Sequence, residues 1–196
     1  MSFPAQSRYT AGQYLELERR ADSKSEFING QVYAMSGANR IHNQLTFNLA
    51  GLLHSRLRGR RCEAYVTDMR VKISSTGMYT YPDVAALCGE ALFEDTHLDT
   101  LINPALIIEV LSPSTEAYDR GGKFSHYRKI QSLIEYVLIA QDRYSVERFV
   151  RQDSQWLFSE STDLSHVVNL QSIQCDLLLS DIYDKVTIPG SHAAPN

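Results

Sequence analysis

A single carboxylate interrupts a strand-like run that is otherwise apolar. Residues 105–111 have the sequence Ala-Leu-Ile-Ile-Glu-Val-Leu, and Ser112-Pro113 follows directly. Apolar side chains on both faces are typical of a central strand that is covered on both sides. An ionised Glu109 in such a strand costs several kcal/mol unless a cation or hydrogen-bond donors receive it. The run therefore predicts a buried central strand and a partner for Glu109.

A second carboxylate, Asp83, follows Pro82 at the start of another predicted strand, where proline fits only at a strand end or a sheet edge. Two carboxylates on neighbouring strands suit Mg²⁺, which is held by one or two carboxylates. Alternatively, Glu109 pairs with a buried arginine such as Arg70, and Asp83 caps a turn. The segment 119–123 favours the metal site, because it returns basic groups to the end of the strand that carries Glu109.

The first part of the chain predicts a helix, a hairpin and a longer helix. Thr10 is a good cap for an amphipathic segment at 11–20, and Asn29-Gly30 lies between two apolar runs. The longest helix is predicted over about 38–58, where apolar residues recur at helical spacing. These residues are Ile41, Leu45, Leu49, Leu52, Leu53 and Leu57.

Strands dominate the rest of the chain. A period-two run at 64–73 and its partner at 79–87 predict a hairpin, which we expect to form the sheet centre together with residues 105–111. A helix is predicted at about 119–132. Further strands are predicted at 136–140, near 144–150 and near 155–160.

The length of the chain favours one domain over two. It has 196 residues, of which 43% are hydrophobic, enough for one substantial core. We expect an N-terminal extension at 1–8, a single domain at 9–188 and a flexible tail at 189–196. No apolar run approaches the ~20 residues that span a bilayer, and no signal peptide is evident, so neither membrane insertion nor secretion is expected.

The formal net charge of −4 argues against a protein that coats nucleic acid through bulk positive charge. Contact with nucleic acid must therefore be local. Two basic clusters qualify: Arg56, Arg58, Arg60 and Arg61, and Arg120, Lys123, Arg128 and Lys129. The first closes a predicted helix, where positive charge also complements the helix dipole without any nucleic acid, so both interpretations stay open.

The cysteines suggest a reducing compartment. Cys62, Cys88 and Cys175 are far apart in sequence, odd in number and form no CxxC pair. We therefore expect neither a zinc site nor a disulfide framework, and we expect the protein to be cytoplasmic.

Several segments resemble a known nuclease signature. Tyr81-Pro82-Asp83-Val84, followed by Pro-Ala-Leu-Ile-Ile-Glu-Val-Leu-Ser-Pro-Ser-Thr at 104–115, resembles the PD-(D/E)xK signature. The stretch 119–123, Tyr127 and Glu135-Tyr136 resemble the Uma-two family of bacterial endonucleases, over about residues 9–184. The resemblance implies an α/β fold with a restriction-endonuclease-like core, in which helices flank a mixed central sheet. The predicted order of elements agrees.

The resemblance also implies a site for Mg²⁺, with Mn²⁺ as a substitute, in which Asp83 and Glu109 hold the ion and Glu26 joins them. Leu111 replaces the lysine that the superfamily carries two residues after the glutamate. Since alternation puts Glu109 and Leu111 on one face, Lys123 is expected to enter the space above Leu111 from the following helix. The metal would polarise the scissile phosphate, and Lys123 would position the attacking water.

Four residues are weaker candidates. The resemblance places Glu26 and His42 near the active face, and Arg120 and Tyr127 could contact phosphate from the helix that carries Lys123. Each also has an ordinary structural interpretation. Glu26 could be an exposed residue before a hairpin, and His42 a packed histidine. Arg120 could be a solvated charge, and Tyr127 could serve helix packing.

The function expected from these features is metal-dependent hydrolysis of phosphodiester bonds in DNA. A homodimer is expected, since two sites suit the cutting of both strands of a duplex. The alternative is a module of the same fold that binds DNA or protein and has lost hydrolysis. Leu111 at the lysine position favours the alternative, whereas the presence of Asp83, Glu109 and Lys123 opposes it.

Overall fold

The computed structural model describes residues 8–188. The predicted tail at 189–196 and the predicted N-terminal extension, except Arg8, lie outside the described residues. The first helix, α1 (Ala11–Glu18), begins with a capping box, in which the Thr10 side chain accepts a hydrogen bond from the backbone N–H of Gln13. The Gln13 side chain accepts one from the backbone N–H of Thr10 in return. The helix predicted at 11–20 is therefore confirmed, two residues shorter at its end.

The Asn-Gly hairpin is also confirmed. Its strands are β1 (Ser25–Ile28) and β2 (Gln31–Ala34), which pair antiparallel. Asn29 and Gly30 have φ angles of 52° and 84°, the left-handed values that a two-residue hairpin turn requires. An added Cβ on Gly30 would lie 3.1 Å from Arg8 Cβ, so both conformation and space favour glycine here.

The longest helix is α2 (Arg40–Leu57), close to its predicted bounds. The Asn39 side chain caps it by accepting a hydrogen bond of 2.9 Å from the His42 backbone N–H. Its inner face is formed by the buried leucines Leu45, Leu49, Leu53 and Leu57. Among the described residues, no helix is long and apolar enough to cross a membrane.

The prediction of one continuous hairpin from strands at 64–73 and 79–87 is wrong. Four shorter strands are present: β3 (Cys62–Val66), β4 (Arg70–Ile73), β5 (Met78–Thr80) and β6 (Val84–Cys88). β3 pairs with β6 in one sheet, and β4 pairs with β5 in another. The ladder breaks because Thr67 takes a φ of 59° and Pro82 has no N–H to donate. The Thr67 N–H donates to the Asp83 carbonyl across the break, at 2.9 Å.

The main sheet is mixed, as expected. Its other strands are β8 (Leu106–Val110), β9 (Glu135–Ile139), β10 (Val146–Gln152) and β11 (Gln155–Ser161). The strand order is β11-β10-β9-β8-β6-β3, with β8 and β9 parallel and the other neighbours antiparallel. The predicted strands at 105–111, 136–140, 144–150 and 155–160 are thus confirmed, with small shifts at their ends. β8 lies inside this sheet, as its apolar sequence predicted.

A second sheet of five strands has the order β2-β1-β5-β4, with the short strand β7 (Thr100–Leu101) parallel to β4 at its edge. The C-terminal part forms a hairpin and a short helix that were not predicted. These are β12 (Val167–Leu170), a 3₁₀ turn (Gln171–Ile173), β13 (Cys175–Leu178) and α5 (Leu179–Ile182). They pack against α2 and help to cover one face of the main sheet.

The helical segment after β8 differs from the predicted helix at 119–132. It consists of α3 (Glu116–Tyr118), a π-helical turn (Asp119–Lys123) and α4 (Phe124–Tyr127). The chain leaves the helix early because the Arg151 guanidinium donates to the carbonyls of Arg128, Ile130 and Leu133, at 2.7 to 2.8 Å. These bonds satisfy acceptors that a continuing helix would otherwise have used.

Residues of β8 alternate between two apolar layers. Leu106, Ile108 and Val110 belong to the core formed with α2, whereas Ile107 belongs to the opposite core. That opposite core also contains Leu111, Tyr127 and Tyr136. Strand alternation therefore assigns Glu109 to the face of Ile107, toward the π turn and α4.

The expectation that no disulfide forms is wrong. Cys62 and Cys88 lie opposite each other in the pairing of β3 with β6 and are joined by a disulfide. Twenty-six residues separate them in sequence, but the folded-back chain brings them together. Cys175 is free and buried. The expected reducing compartment rested on the absence of a disulfide, so this ground for a cytoplasmic location is removed.

A buried arginine ties the second sheet to α1 through Asp99. Arg70 Nη2 lies 3.0 Å from Asp99 Oδ2, and Arg19 Nε lies 2.8 Å from the same oxygen. The hydrogen bond from Arg19, with the charge of Arg70, holds the pKa of Asp99 well below its usual range, against the opposing effect of burial. A depressed folded-state pKa stabilises the fold above the unfolded pKa, and this contribution is lost as the pH falls toward the folded pKa.

We therefore predict that Asp99→Asn lowers stability at neutral pH and flattens the acid limb of stability below about pH 5. Urea unfolding over a series of pH values measures this dependence. Asp153→Asn, at an exposed turn residue, is the matched control. An acid limb as steep in Asp99→Asn as in the wild type would contradict the assignment.

Candidate active site

Glu109 is the buried centre of a polar cluster at the end of β8. Its side chain is 4% exposed. The Tyr127 hydroxyl donates to Glu109 Oε1 at 2.8 Å, and Lys123 Nζ lies 3.2 Å from the same oxygen. Burial raises the pKa of Glu109 to about 8, Lys123 opposes the rise, and the charges of Asp119 and Asp83 add to it. Glu109 is thus an acid whose ionised form needs more positive charge than Lys123 alone supplies.

The alternative pairing of Glu109 with Arg70 is wrong. The Arg70 guanidinium donates to Thr100 Oγ1 at 2.9 Å and to the Tyr81 hydroxyl at 2.8 Å, and it pairs with Asp99. These partners belong to the second sheet and to its connections. Arg70 therefore stabilises that sheet, and the counter-charge of Glu109 comes from Lys123.

Asp83 lies in the break of the folded hairpin, immediately before β6. Its Oδ2 accepts a hydrogen bond of 2.8 Å from the Val110 N–H, and its Oδ1 lies 3.2 Å from His42 Nε2. Glu109 Oε2 in turn lies 3.4 Å from the Asp83 N–H, a long hydrogen bond. Because β6 and β8 are neighbours, these contacts hold both carboxylates at the same end of the sheet. Asp83 thus caps the end of β8 rather than a local turn.

Lys123 is buried among three carboxylates. Its Nζ lies 3.2 Å from Glu109 Oε1, 3.4 Å from Glu26 Oε1 and 3.2 Å from Asp119 Oδ1. Burial alone would lower the pKa of Lys123, but Glu109, Glu26 and Asp119 outweigh it and raise the pKa well above its usual value. Lys123 is therefore a fixed positive charge in this cluster.

Glu26 reaches the cluster from β1. It is buried rather than exposed, and the Thr80 hydroxyl of β5 donates to its Oε1 in a short hydrogen bond. The interpretation of Glu26 as an exposed residue before the hairpin is therefore wrong. The second sheet thus contributes one acid to a cluster whose other members come from the main sheet and from the helical segment after β8.

The remaining predicted site residues are Tyr127, His42 and Arg120, and only two of them contact the acids of the cluster. Tyr127 is fully buried and holds Glu109, and His42 contacts Asp83 from the first turn of α2. Arg120 is engaged elsewhere, because its guanidinium pairs with Glu116 at 2.8 Å and makes a short contact with Glu147. Tyr127 and His42 are thus brought to the acids, whereas Arg120 is bound by other carboxylates beside them.

Sequence reasoning did not select Asp119 and Thr80, although both touch the cluster. Asp119 is 2% exposed, and its Oδ1 accepts no hydrogen bond despite its ion pair with Lys123. The signal for Asp119 was its spacing of four residues from Lys123, which places the two side chains on one helical face. Thr80 offered no such signal, because only the pairing of β1 with β5 brings it to Glu26.

The π turn that carries Lys123 depends on a glycine. A Cβ added to Gly122 would lie 2.7 Å from Tyr118 Cδ2, too close for any side chain to be accommodated without a shift. The Lys123 ammonium lies 5.8 Å from the centre of the same Tyr118 ring, within the range of a cation–π contact. Tyr118 and Gly122 thus hold the turn that directs Lys123 inward.

The cluster has the composition of a site for a hard cation. Within residues 8–188, no group of three or more His, Cys, Asp or Glu side chains is already arranged around a common metal position. Mg²⁺, however, needs only one or two protein carboxylates, with water or phosphate oxygens as the remaining ligands. Glu26, Glu109 and Asp119 face one ammonium, the Asp83 backbone N–H lies 3.4 Å from Glu109 Oε2, and Asp119 Oδ1 lacks a hydrogen bond. The donor oxygens and the excess negative charge therefore fit a divalent cation.

The sequence matches a known family over most of its length. The family model that matches residues 11–180 is Uma2, described as "Putative restriction endonuclease". Two relatives come from Synechocystis sp., and both are described as uncharacterized proteins. The protein sll1609 is 44% identical over 152 residues, which cover 77% of this chain and 86% of the relative. The protein slr1290 is 36% identical over 172 residues, which cover 87% of this chain and 89% of the relative.

The fold is also found in a solved structure. A crystal structure described as a putative nuclease belonging to DUF820, from Anabaena variabilis, superposes with a TM-score of 0.75 at 19% sequence identity. The match covers 91% of this chain and 99% of that chain. At this identity the likeness shows the fold, and the fold expected from the sequence is confirmed.

The Lys123 charge is predicted to stabilise the fold in the absence of a metal. Lys123→Met leaves three carboxylates buried without their ammonium, and removing one partner of a buried ion pair costs about 3 to 5 kcal/mol. Urea unfolding in EDTA measures the loss, and Lys129→Met, at an exposed lysine of the same segment, is the control. Adding Glu109→Gln to Lys123→Met should restore part of the stability. A Lys123→Met variant as stable as the wild type would contradict the assignment of the buried charge.

Proposed function

The chain belongs to the Uma2 family, and on that premise we propose that it is a metal-dependent endonuclease that hydrolyses phosphodiester bonds in DNA. One observation carries the proposal above all, namely the position of two carboxylates at the same end of neighbouring strands. The Asp83 N–H contacts the Glu109 carboxylate, the Val110 N–H donates to the Asp83 carboxylate, and the buried Lys123 lies beside Glu109. Two fixed carboxylates can hold a divalent cation, and an ammonium beside them can stabilise the charge that develops on a phosphodiester during hydrolysis.

Asp83 and Glu109 would hold Mg²⁺, or Mn²⁺ as its substitute, and Glu26 would be the third carboxylate. When bound, such an ion polarises the scissile phosphate and lowers the pKa of a coordinated water. The protein fixes these acids before any ligand arrives. Tyr127 donates to Glu109, while His42 and the Val110 N–H contact the two oxygens of Asp83.

Lys123 would act as a donor rather than as a base. Its raised pKa keeps the ammonium protonated at neutral pH. A protonated lysine can hydrogen-bond the attacking water through the lone pairs of the oxygen, and it can stabilise charge that develops on the phosphate. Leu111 cannot serve in this way, because its apolar side chain is buried in the core.

The distribution of charge supports a polyanionic substrate. The chain has a net charge of −4, yet it has no acidic residue between Glu26 and Glu63. Five arginines and two histidines lie in this interval, which includes the whole of α2. Positive charge is therefore concentrated on one segment, and its helix begins with the turn that places His42 beside Asp83.

The alternative function is a module of the same fold that binds DNA or protein without hydrolysis. The three ion pairs of Lys123 favour it, because its ammonium already neutralises part of the charge that a metal would otherwise neutralise. Incubation with single-stranded, duplex and branched DNA in Mg²⁺ or Mn²⁺, together with calorimetric titration of Mg²⁺, separates the two functions. If the protein neither cleaves DNA nor binds the metal, the module is favoured.

Asp83→Asn and Glu109→Gln are predicted to abolish metal-dependent cleavage while the fold is kept. Each change removes a charge from the ion's ligands with little change in volume, so the affinity for Mg²⁺ falls. Lys123→Met should instead retain Mg²⁺ binding and lose rate, because the lysine serves the water and the phosphate. Cleavage rates, calorimetry and circular dichroism in Mg²⁺ measure these effects.

The matched controls for these variants are Asp153→Asn and Glu90→Gln, which change exposed acids. Both are expected to cleave at the wild-type rate. Cleavage by Glu109→Gln at the wild-type rate would refute the proposed mechanism.

We also propose that the protein acts on duplex DNA as a homodimer. Two identical sites related by a twofold axis match the antiparallel strands of a duplex, and closed twofold pairs are the commonest oligomers. Light scattering should give a mass of twice 22.2 kDa. A single-chain mass both with and without DNA would overturn the homodimer.

A further inference from the structure

The outer face of α2 carries a stripe of exposed residues with no acid among them. Counted at helical spacing, the stripe consists of Arg40, Asn43, Phe47, Gly51, His54 and Arg58, the last directly after the helix, and each is exposed. Phe47 is 74% exposed, unusual for a phenylalanine in the middle of a helix whose opposite face is buried in the core. The stripe spans roughly 27 Å at the rise of an α-helix.

The arginines of this region have no carboxylate partner within residues 8–188. Among the described residues, Arg40, Arg56, Arg58 and Arg61 form no ion pair, whereas Arg60 donates to the carbonyls of Ile173 and Gln174. Arg56 lies where positive charge complements the helix dipole, and Arg58 follows directly. Arg40 lies at the opposite end, where the dipole is unfavourable for a cation. The helix dipole therefore does not account for the whole set.

A cleft lies beside the C-terminal half of α2. It has a volume of about 200 Å³ between α2 and β3, and its lining includes His54, Arg58 and Cys62. No acidic side chain is among the described residues that line it. The cleft therefore adds a concave and mainly apolar surface, with Arg58 and His54 in its lining, to the exposed aromatic ring of Phe47.

The stripe begins next to the proposed active site. Arg40 and Asn43 flank His42, whose Nε2 lies 3.2 Å from Asp83 Oδ1. A polyanion that reaches the acids would therefore meet the first turn of α2. From there the stripe offers arginines at its two ends and an aromatic ring between them, the combination that binds single strands through phosphate contacts and base stacking.

We propose that the outer face of α2 binds single-stranded nucleic acid, with Phe47 stacking on a base and Arg40 and Arg58 contacting phosphates. The inference rests on the proposed function, and it concerns an unpaired strand of the nucleic acid rather than the paired duplex that the homodimer would cut. A single strand is favoured over an intact duplex, because a base inside a duplex has no free face for Phe47. Self-association through this face is disfavoured, since a twofold contact would oppose two copies of an acid-free stripe.

Anisotropy of a labelled single-stranded oligonucleotide, in EDTA so that no cleavage occurs, tests the surface. Phe47→Ala should weaken single-strand binding by roughly 5- to 150-fold, the range for loss of one base stack, and should change duplex binding little. Phe158→Ala, which removes an exposed phenylalanine from β11, should leave binding unchanged. Substitutions at these exposed positions are not expected to unfold the protein.

Charge is tested separately by the dependence of binding on salt. Arg40→Gln with Arg58→Gln should lower the slope of log K against log salt by about 0.7 for each arginine removed. The control is Arg20→Gln, which removes an exposed arginine near α1. An unchanged slope, together with wild-type binding by Phe47→Ala, would overturn the proposal.

The outcomes distinguish this inference from the proposed function. If the wild type cleaves DNA in Mg²⁺ but the α2 variants bind single strands normally, the proposed binding surface is overturned and the nuclease proposal stands. Binding that depends on Phe47 and the two arginines, without cleavage in any metal, would support the surface and overturn hydrolysis. A change in mass on light scattering for Phe47→Ala, with nucleic-acid binding unchanged, would identify a protein interface instead and overturn the inference.

Discussion

The buried ammonium of Lys123 is what allows several carboxylates to lie together at the end of β8. Glu109, Glu26 and Asp119 each lie within 3.4 Å of its Nζ. Burial raises the pKa of Glu109, the repulsion from Asp119 and Asp83 adds to the rise, and the ammonium of Lys123 only partly offsets both effects. The elements around the cluster have to meet this electrostatic constraint. The π turn directs Lys123 inward, Tyr127 donates to Glu109, and Thr80 donates to Glu26.

The break in the hairpin, between the β4–β5 pair and the β3–β6 pair, positions two of the acids. A continuous hairpin would have kept residues 81–83 inside a ladder, with their backbone groups paired to the opposite strand. The break frees the Asp83 N–H to approach Glu109 and puts its carboxylate on the Val110 N–H. The same break moves β4 and β5 into the second sheet, where β5 pairs with β1 and brings Glu26 to Lys123. One irregularity of the backbone thus joins the two sheets at the acids.

Much of the fold could be predicted because its signals are local. The capping box at Thr10, the Asn29-Gly30 turn, the leucine spacing of α2 and the apolar sequence of β8 each depend on neighbours within a few residues. Three expectations failed for the opposite reason. The hairpin break depends on which sheet each half joins, the disulfide depends on strand register, and the early end of α4 depends on Arg151, which is distant in sequence. Periodicity carries no information about such partners.

In the candidate site, too, the features that depend on local sequence were predicted, and those that depend on distant segments were not. Local pattern was enough to predict that Glu109 would be a buried acid in a central strand, and that Lys123 would return to it, since only a short connection separates strand and helix. It also determined that Leu111 could not supply the missing charge. Contacts between distant segments were needed to reveal that Arg70 serves the second sheet, that Arg120 is bound by Glu116 and Glu147, and that Asp119 and Thr80 join the cluster. The physical reason is that burial and alternation are properties of one segment, whereas the partner of a charge is set by whichever segment the packed sheets bring within a few ångströms.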